Sequence, residues 1–113
     1  MHDDEIIMVF THVPDHDCAT RMAEALINAQ LAACVNILSP CTSIYTWNNQ
    51  LERTSEIPMV IKTHRRLYSK IESMMLSMHP YELPEIIALH VSGGLPQYLQ
   101  WVNAQISPQE HHD

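Results

Sequence analysis

The sequence predicts an α+β domain whose sheet must be covered on both faces. Three observations predict it. Two segments of helical period interrupt four apolar, β-branched ones, the strand segments are apolar at odd and even positions alike, and 113 residues suffice for one core only. A single domain over 1–113 is expected, with 1–4 and 107–113 as flexible ends.

Ile6-Ile7-Met8-Val9-Phe10 is a short, continuous apolar run, read as a strand over about residues 5–12. Pro14-Asp15-His16-Asp17 then supplies a turn and a helix N-cap, with Asp15 or Asp17 accepting free N–H groups. Met22, Ala23, Leu26, Ile27 and Gln30 repeat at helical spacing, while Arg21, Glu24 and Asn28 point away. Leu31 to Leu38 returns as a second strand. Cys41 to Asn48 continues it beyond Pro40, which marks a bend or bulge. Asn48-Asn49-Gln50 is the strongest turn signal, because Asn tolerates positive φ. Glu52 to Thr63 comes back as a long third strand. Pro58 within it cannot donate to a ladder, so an edge position is expected there.

Leu67, Ile71, Met74, Met75 and Met78 make a second amphipathic helix, and His79-Pro80 ends it, since the residue before proline is pushed out of the α region. Ile86 to Val91 is a fourth strand, broken by Gly93-Gly94. Pro96 opens a short final helix carrying Tyr98, Leu99, Val102 and Ile106. The order βαββαβ is that of the split βαβ, or ferredoxin-like, fold, here with a short C-terminal helix. In that fold two helices cover one face of a four-stranded sheet. Ile6–Phe10, Leu31–Val35, Met59–Ile61 and Ile86–Leu89 lack the alternation of a solvated face, so another copy of the chain is the economical cover.

Composition excludes several functions. With a net charge of −7 and six Lys and Arg, there is no basic stripe to neutralise phosphates, and nucleic-acid binding is not expected. No apolar run is long enough for a membrane span. The acidic start Met1-His2-Asp3-Asp4-Glu5 is unlike a signal peptide, so a cytoplasmic location is expected. Cys18, Cys34 and Cys41 are odd in number without a C-x-x-C pair, which suits reduced thiols. The two glycines are adjacent, so no glycine-rich phosphate loop and no nucleophile elbow exist. No nucleophile–base–orienter set is visible either, and an enzyme is not expected.

His79-Pro80-Tyr81-Glu82 gathers an imidazole, a phenol and a carboxylate on a proline-stiffened segment. Two readings stand: a helix stop whose polar groups hold neighbouring chains together, or a metal or small-ligand site with His79 as the metal residue. Met75 and Met78 share helical spacing with His79 and offer soft ligands for Cu(I), though methionines beside Leu67 and Ile71 read first as core filling. His12 and His16 are four apart, but Pro14 between them argues against a helical pair. His2, His111, His112 and Asp113 offer only loose chelation from the ends. Cys34 reads as a small buried hydrophobe. Cys18 sits at a helix N-terminus, where the dipole can lower a thiol pKa, and Cys41 is the exposed thiol. Lys62 beside Ile61 needs a carboxylate, which Glu82 or Glu85 can supply, across a subunit boundary if necessary. Trp47 and Trp101 read as interface or core aromatics.

Four segments carry a resemblance: Leu31-Ala32-Ala33-Cys34-Val35-Asn36, Ser43-Ile44-Tyr45-Thr46-Trp47, Glu56 leading to Lys62-Thr63, and His79-Pro80-Tyr81-Glu82 followed by Pro84-Glu85-Ile86. Gly94, Tyr98-Leu99 and Trp101 close the pattern. In this order and spacing the chain resembles the CutA divalent-cation-tolerance family from about Ile6 to Ile106. It departs at Asn49, where the family has Gly, and at Pro58 within a strand. The resemblance implies a ferredoxin-like subunit in a tight homotrimer built like the PII signalling proteins. It also implies a role in response to and tolerance of copper and other divalent metal ions, with weak copper binding. The alternative is a PII-like sensor or adaptor that takes a small metabolite or a partner protein in intersubunit clefts. Lys62, Tyr81, Glu82, Trp47 and Trp101 are the cleft or intersubunit candidates.

Overall fold

A computed structural model describes residues 5–106. Five strands and three helices alternate as β1 (Ile6–Val13), α1 (His16–Asn28), β2 (Cys34–Ile37), β3 (Cys41–Trp47), β4 (Gln50–His64), α2 (Tyr68–Met78), β5 (Ile86–His90) and α3 (Pro96–Ile106), with a 3₁₀ turn at Arg65–Leu67. The strand order is β2-β4-β1-β5, and β3 continues beyond β2 along β4. All pairings are antiparallel. This is the expected split-βαβ plan with a C-terminal helix. The tails, with His2, His111, His112 and Asp113, lie outside the described residues.

The sheet has two unlike faces because side chains alternate along each strand. Ile7, Val9, Thr11 and Val13 of β1 and Ile57, Met59, Ile61 and Thr63 of β4 are buried. They pack with Met22 and Leu26 of α1 and Ile71 and Met75 of α2 in the main core. Met75 is fully buried, so the α2 methionines fill the core rather than present ligands. On the other face α3 crosses one end, where Val102 and Ile106 pack on Ile6. Its cover is partial: Ile87 and Leu89, which pair with Phe10 and Met8, remain 48% and 52% exposed. Cover from within the chain is thus limited to the α3 end of the second face.

Local chemistry explains where elements stop. Asp15 caps α1 by accepting the Cys18 N–H at 2.8 Å. At the other end Gln30 takes φ 58°, and Leu31 N–H donates to the Leu26 carbonyl while Gln30 N–H donates to that of Ile27. That is a Schellman ending with Gln where glycine is usual. The second strand consequently starts at Cys34 rather than Leu31, while Leu31 and Ala32 enter the core from the turn. Asn48 and Asn49 both take positive φ, 52° and 64°, and close β3 onto β4 in a two-residue turn.

Pro58 is not at an edge, because β4 lies between β2 and β1. Cα partners sum to 96 along β2–β4 (Ile37 opposite Met59) and to 97 along β3–β4 (Cys41 opposite Glu56). Residues 38–40 thus oppose only 57–58, a bulge of one extra residue. The Leu38 N–H donates to the Pro58 carbonyl at 2.9 Å. A strand residue's N–H and C=O point to the same side, so the missing donor of Pro58 faces the bulge, where no regular ladder bond is lost. The Pro40 expectation and the Pro58 anomaly have one cause.

Beyond the bulge, β3 and the first half of β4 form an arm that leaves the body. Extents of 54 × 28 × 23 Å and a radius of gyration of 15.4 Å exceed the ~13 Å of a compact domain this size. At its end Leu51 is 68% exposed.

Candidate functional site

The arm, the segment after α2 and the end of β1 enclose a cleft of about 520 Å³. The arm contributes Tyr45, Trp47, Thr54 and Glu56, the segment after α2 contributes Tyr81, Glu82, Leu83 and Glu85, and β1 contributes His12. The bulge positions the arm, and proline fixes the segment: His79 leaves α2 in an extended conformation before Pro80, donating its N–H to the Met75 carbonyl. Every described peptide bond is trans, those preceding Pro80 and Pro84 included.

His79 is turned inward. Its Nδ1 accepts the Tyr81 N–H at 3.4 Å, which assigns the proton of the neutral ring to Nε2, 3.2 Å from Thr11 Oγ1. Burial pushes its pKa below the usual imidazole value, against smaller upward contributions from the His12 backbone and the Glu56 carboxylate. The ring lies 4.9 Å from that of Tyr81. A neutral imidazole has one lone pair for a metal, and here Tyr81 N–H occupies it. Among the described residues no three His, Cys, Asp or Glu side chains gather to hold a metal. The residues of one subunit therefore do not fit a metal centre at His79.

Tyr81 turns its hydroxyl into the cleft wall, where it is buried. Burial, first, and then the nearby Glu56 carboxylate raise its pKa well beyond the ordinary phenol range. The two groups face each other as a hydrogen-bonding pair whose geometry is looser than ideal. Glu56 itself is only 8% exposed. No Lys or Arg pairs with it among the described residues, and its neighbour is the Tyr81 hydroxyl. His12 Nδ1 stands 3.0 Å from Glu85 Oε1, within ion-pair distance but also off hydrogen-bond geometry. Tyr45 is held by a 2.9 Å bond between its hydroxyl and Thr54 Oγ1.

The structure thus brings Trp47, Tyr81 and Glu82 together, with His79 behind Tyr81. Lys62 and Trp101 lie elsewhere: Lys62 Nζ sits 5.6 Å from the Tyr98 ring centre, and Tyr98 stacks on Trp101. Within the chain neither Glu82 nor Glu85 pairs with Lys62, whose neighbour is an aromatic face rather than a carboxylate. Cys34 is half-buried on the second face, not a core residue, and Cys41 is half-buried too. Cys18 is buried, and desolvation raises its thiol pKa, so the helix dipole does not activate it. His12, Tyr45 and Glu56 were missed as site residues. Glu56 had a legible signal, a lone carboxylate opening the apolar run Ile57-Pro58-Met59.

A family model described as CutA1 divalent ion tolerance protein matches residues 7–105. The chain belongs to that family. The divalent-cation tolerance protein CutA of Pectobacterium atrosepticum is 37% identical over 102 residues, which cover 90% of this chain and 93% of that protein. Protein CutA of Mus musculus is 43% identical over 94 residues, 83% of this chain but 53% of that longer protein. The crystal structure of the stable protein CutA1 from the psychrotrophic bacterium Shewanella sp. SIB1 superposes with a TM-score of 0.89 at 44% identity, covering 92% of this chain and 97% of that one. Divalent-cation tolerance and the α+β fold follow from this membership. No helix among the described residues is long and apolar enough to cross a membrane.

Proposed function

We propose that this CutA1-family chain acts as a cytoplasmic homotrimer in the response to divalent metal ions, binding copper weakly. The observation that carries the assembly is the apolar second face, on which Ile87 and Leu89 stay about half exposed after α3 has packed. Three unpaired thiols suit a reducing compartment. The copper reading rests on family membership and on the preference of imidazole for Cu(II) over Zn(II). With no three-ligand set inside one subunit, binding is weak and uses single imidazoles or residues of more than one copy. The reading gives the chain no catalytic step. Calorimetric titration with Cu(II) and Zn(II), paired with light scattering, tests it: weak copper binding by a trimer is expected. Failure to bind copper after residues 1–3 and 108–113 are removed would leave the terminal histidines as the whole signal and sink the copper reading.

A second reading is favoured by the cleft: a PII-like sensor or adaptor taking a small metabolite or a partner between subunits. Its volume lies within the ~300–1,000 Å³ range of small-molecule sites.

A further inference from the structure

Two aromatic patches stand apart in the molecule. One is in the cleft, where Tyr45 and Trp47 of the arm stand beside Glu82 and Glu85. The other is Lys62 with the stacked pair Tyr98 and Trp101 of α3. Tyr45, Trp47, Tyr98 and Trp101 are each between 38% and 44% exposed, a large aromatic area to leave in water. Their charges are complementary. No Lys or Arg lines the cleft, and no carboxylate pairs with Lys62 among the described residues. The two patches do not meet within one chain. Lys62 lies opposite Met8, whereas the cleft begins at His12, four residues or about 13 Å further along β1. The Lys62 side chain is turned to the Tyr98 ring instead.

We propose that the cleft is completed by a second copy of this chain, whose Lys62, Tyr98 and Trp101 form its opposite wall, with Lys62 set against Glu82. The inference rests on the trimer reading above and gives the intersubunit cleft of the second reading its two walls. A cyclic trimer joins each copy to the next through two different patches, and the same two meet at every interface. This chain carries such a pair, alike in aromatic character and opposite in charge. The Lys62 patch is continuous with the face already assigned to the assembly. Lys62 and Leu89 both pair with Met8, which places them in one row across the second face. Glu82 is the exposed cleft carboxylate without a partner, since Glu56 faces Tyr81 and Glu85 stands beside His12. Tyr and Trp rings are the residues that anchor interfaces, and an ammonium among them gains from their faces as water is excluded. A small molecule held in the finished site touches two subunits at once.

The test uses the full-length protein in its native assembly, treated with a water-soluble carbodiimide that joins a lysine directly to a touching carboxylate. Products are separated by denaturing electrophoresis, and the linked peptides are identified by mass spectrometry. A Lys62–Glu82 link is expected in bands at two and three times the 13.0 kDa chain mass. The same link confined to the single-chain band overturns the proposal, because the contact is then internal. Charge reversal gives a second measurement. Lys62→Glu and Glu82→Lys should each raise the concentration at which the assembly dissociates at least tenfold, and the double variant should recover most of the loss. Lys70→Glu, the same reversal on the exposed side of α2, should leave it unchanged. Single variants no weaker than Lys70→Glu, or a double variant weaker than either single one, overturn the pairing. Light scattering on the untreated protein separates the two levels. A trimer without the Lys62–Glu82 link ends this proposal while the trimer reading stands, and a folded monomer ends both.

Discussion

Gln30 illustrates how one residue can hold a place against its own preference. A left-handed backbone costs a residue with a Cβ roughly 1 kcal/mol, and at Gln30 the Schellman bonds and the burial of Leu31 impose it. Gln30→Gly should raise stability by about 0.5–1 kcal/mol, read as a higher melting temperature. An unchanged or lower value would mean that the Gln side chain itself contributes. His79 gives a pH prediction. Its folded-state pKa lies below the unfolded value of 6.5, so below pH 6.5 the unfolded chain binds the proton more readily. Stability should therefore be unaffected by this group above that pH. It should fall as pH drops through 6.5 and keep falling until the depressed folded value is passed. His79→Gln should show a shallower loss between pH 7 and 5 in denaturant titrations. Identical slopes would remove His79 from the acid response.

At the scale of elements, the arm depends on its turn and its bulge. Asn48 and Asn49 tolerate positive φ where a β-branched residue cannot, so Asn49→Val should cost about 1–2 kcal/mol, measured by urea unfolding, while Asn49→Gly should cost nothing or stabilise. A neutral Asn49→Val would show that the turn has reorganised. These elements also define what could be read from sequence. Hydrophobic period, caps and prolines fixed the order of strands and helices, since each is a local signal. The Asn pair announced its turn for the same reason. The bulge could be suspected from Pro40, but its one-residue slip exists only relative to β4, some twenty residues away. Without that partner Pro58 looked like an edge residue. The cleft was half legible. Tyr81 and Glu82 stand together in sequence, whereas His12, Tyr45 and Glu56 reach it from three strands, and no local pattern encodes that meeting.

At the scale of the whole molecule, the uncovered face decides the assembly. Ile87 and Leu89 lie on β5, at one edge of the sheet, on the side that α3 leaves open. Burying a fully exposed side chain of this size is worth about 1.5–3 kcal/mol; each is already half-buried, so about half of that remains to be gained, and a trimer repeats it at every interface. Wild-type protein should run as one species of about 39 kDa, three times the 13.0 kDa chain, with a melting temperature that rises with concentration. Leu89→Asp places a charge where a neighbour must exclude water, at a cost of several kcal/mol per copy, and should abolish the assembly at micromolar concentration. Leu76→Asp makes the same change at a residue equally exposed, 53% against 52%, but on α2 at the other face of the sheet. It should leave the mass unchanged. The comparison separates a specific interface from general loss of hydrophobic surface: if both variants stay trimeric, or both fall apart, the second face is not what joins the copies. A wild-type chain that is folded and monomeric at micromolar concentration would end the argument altogether.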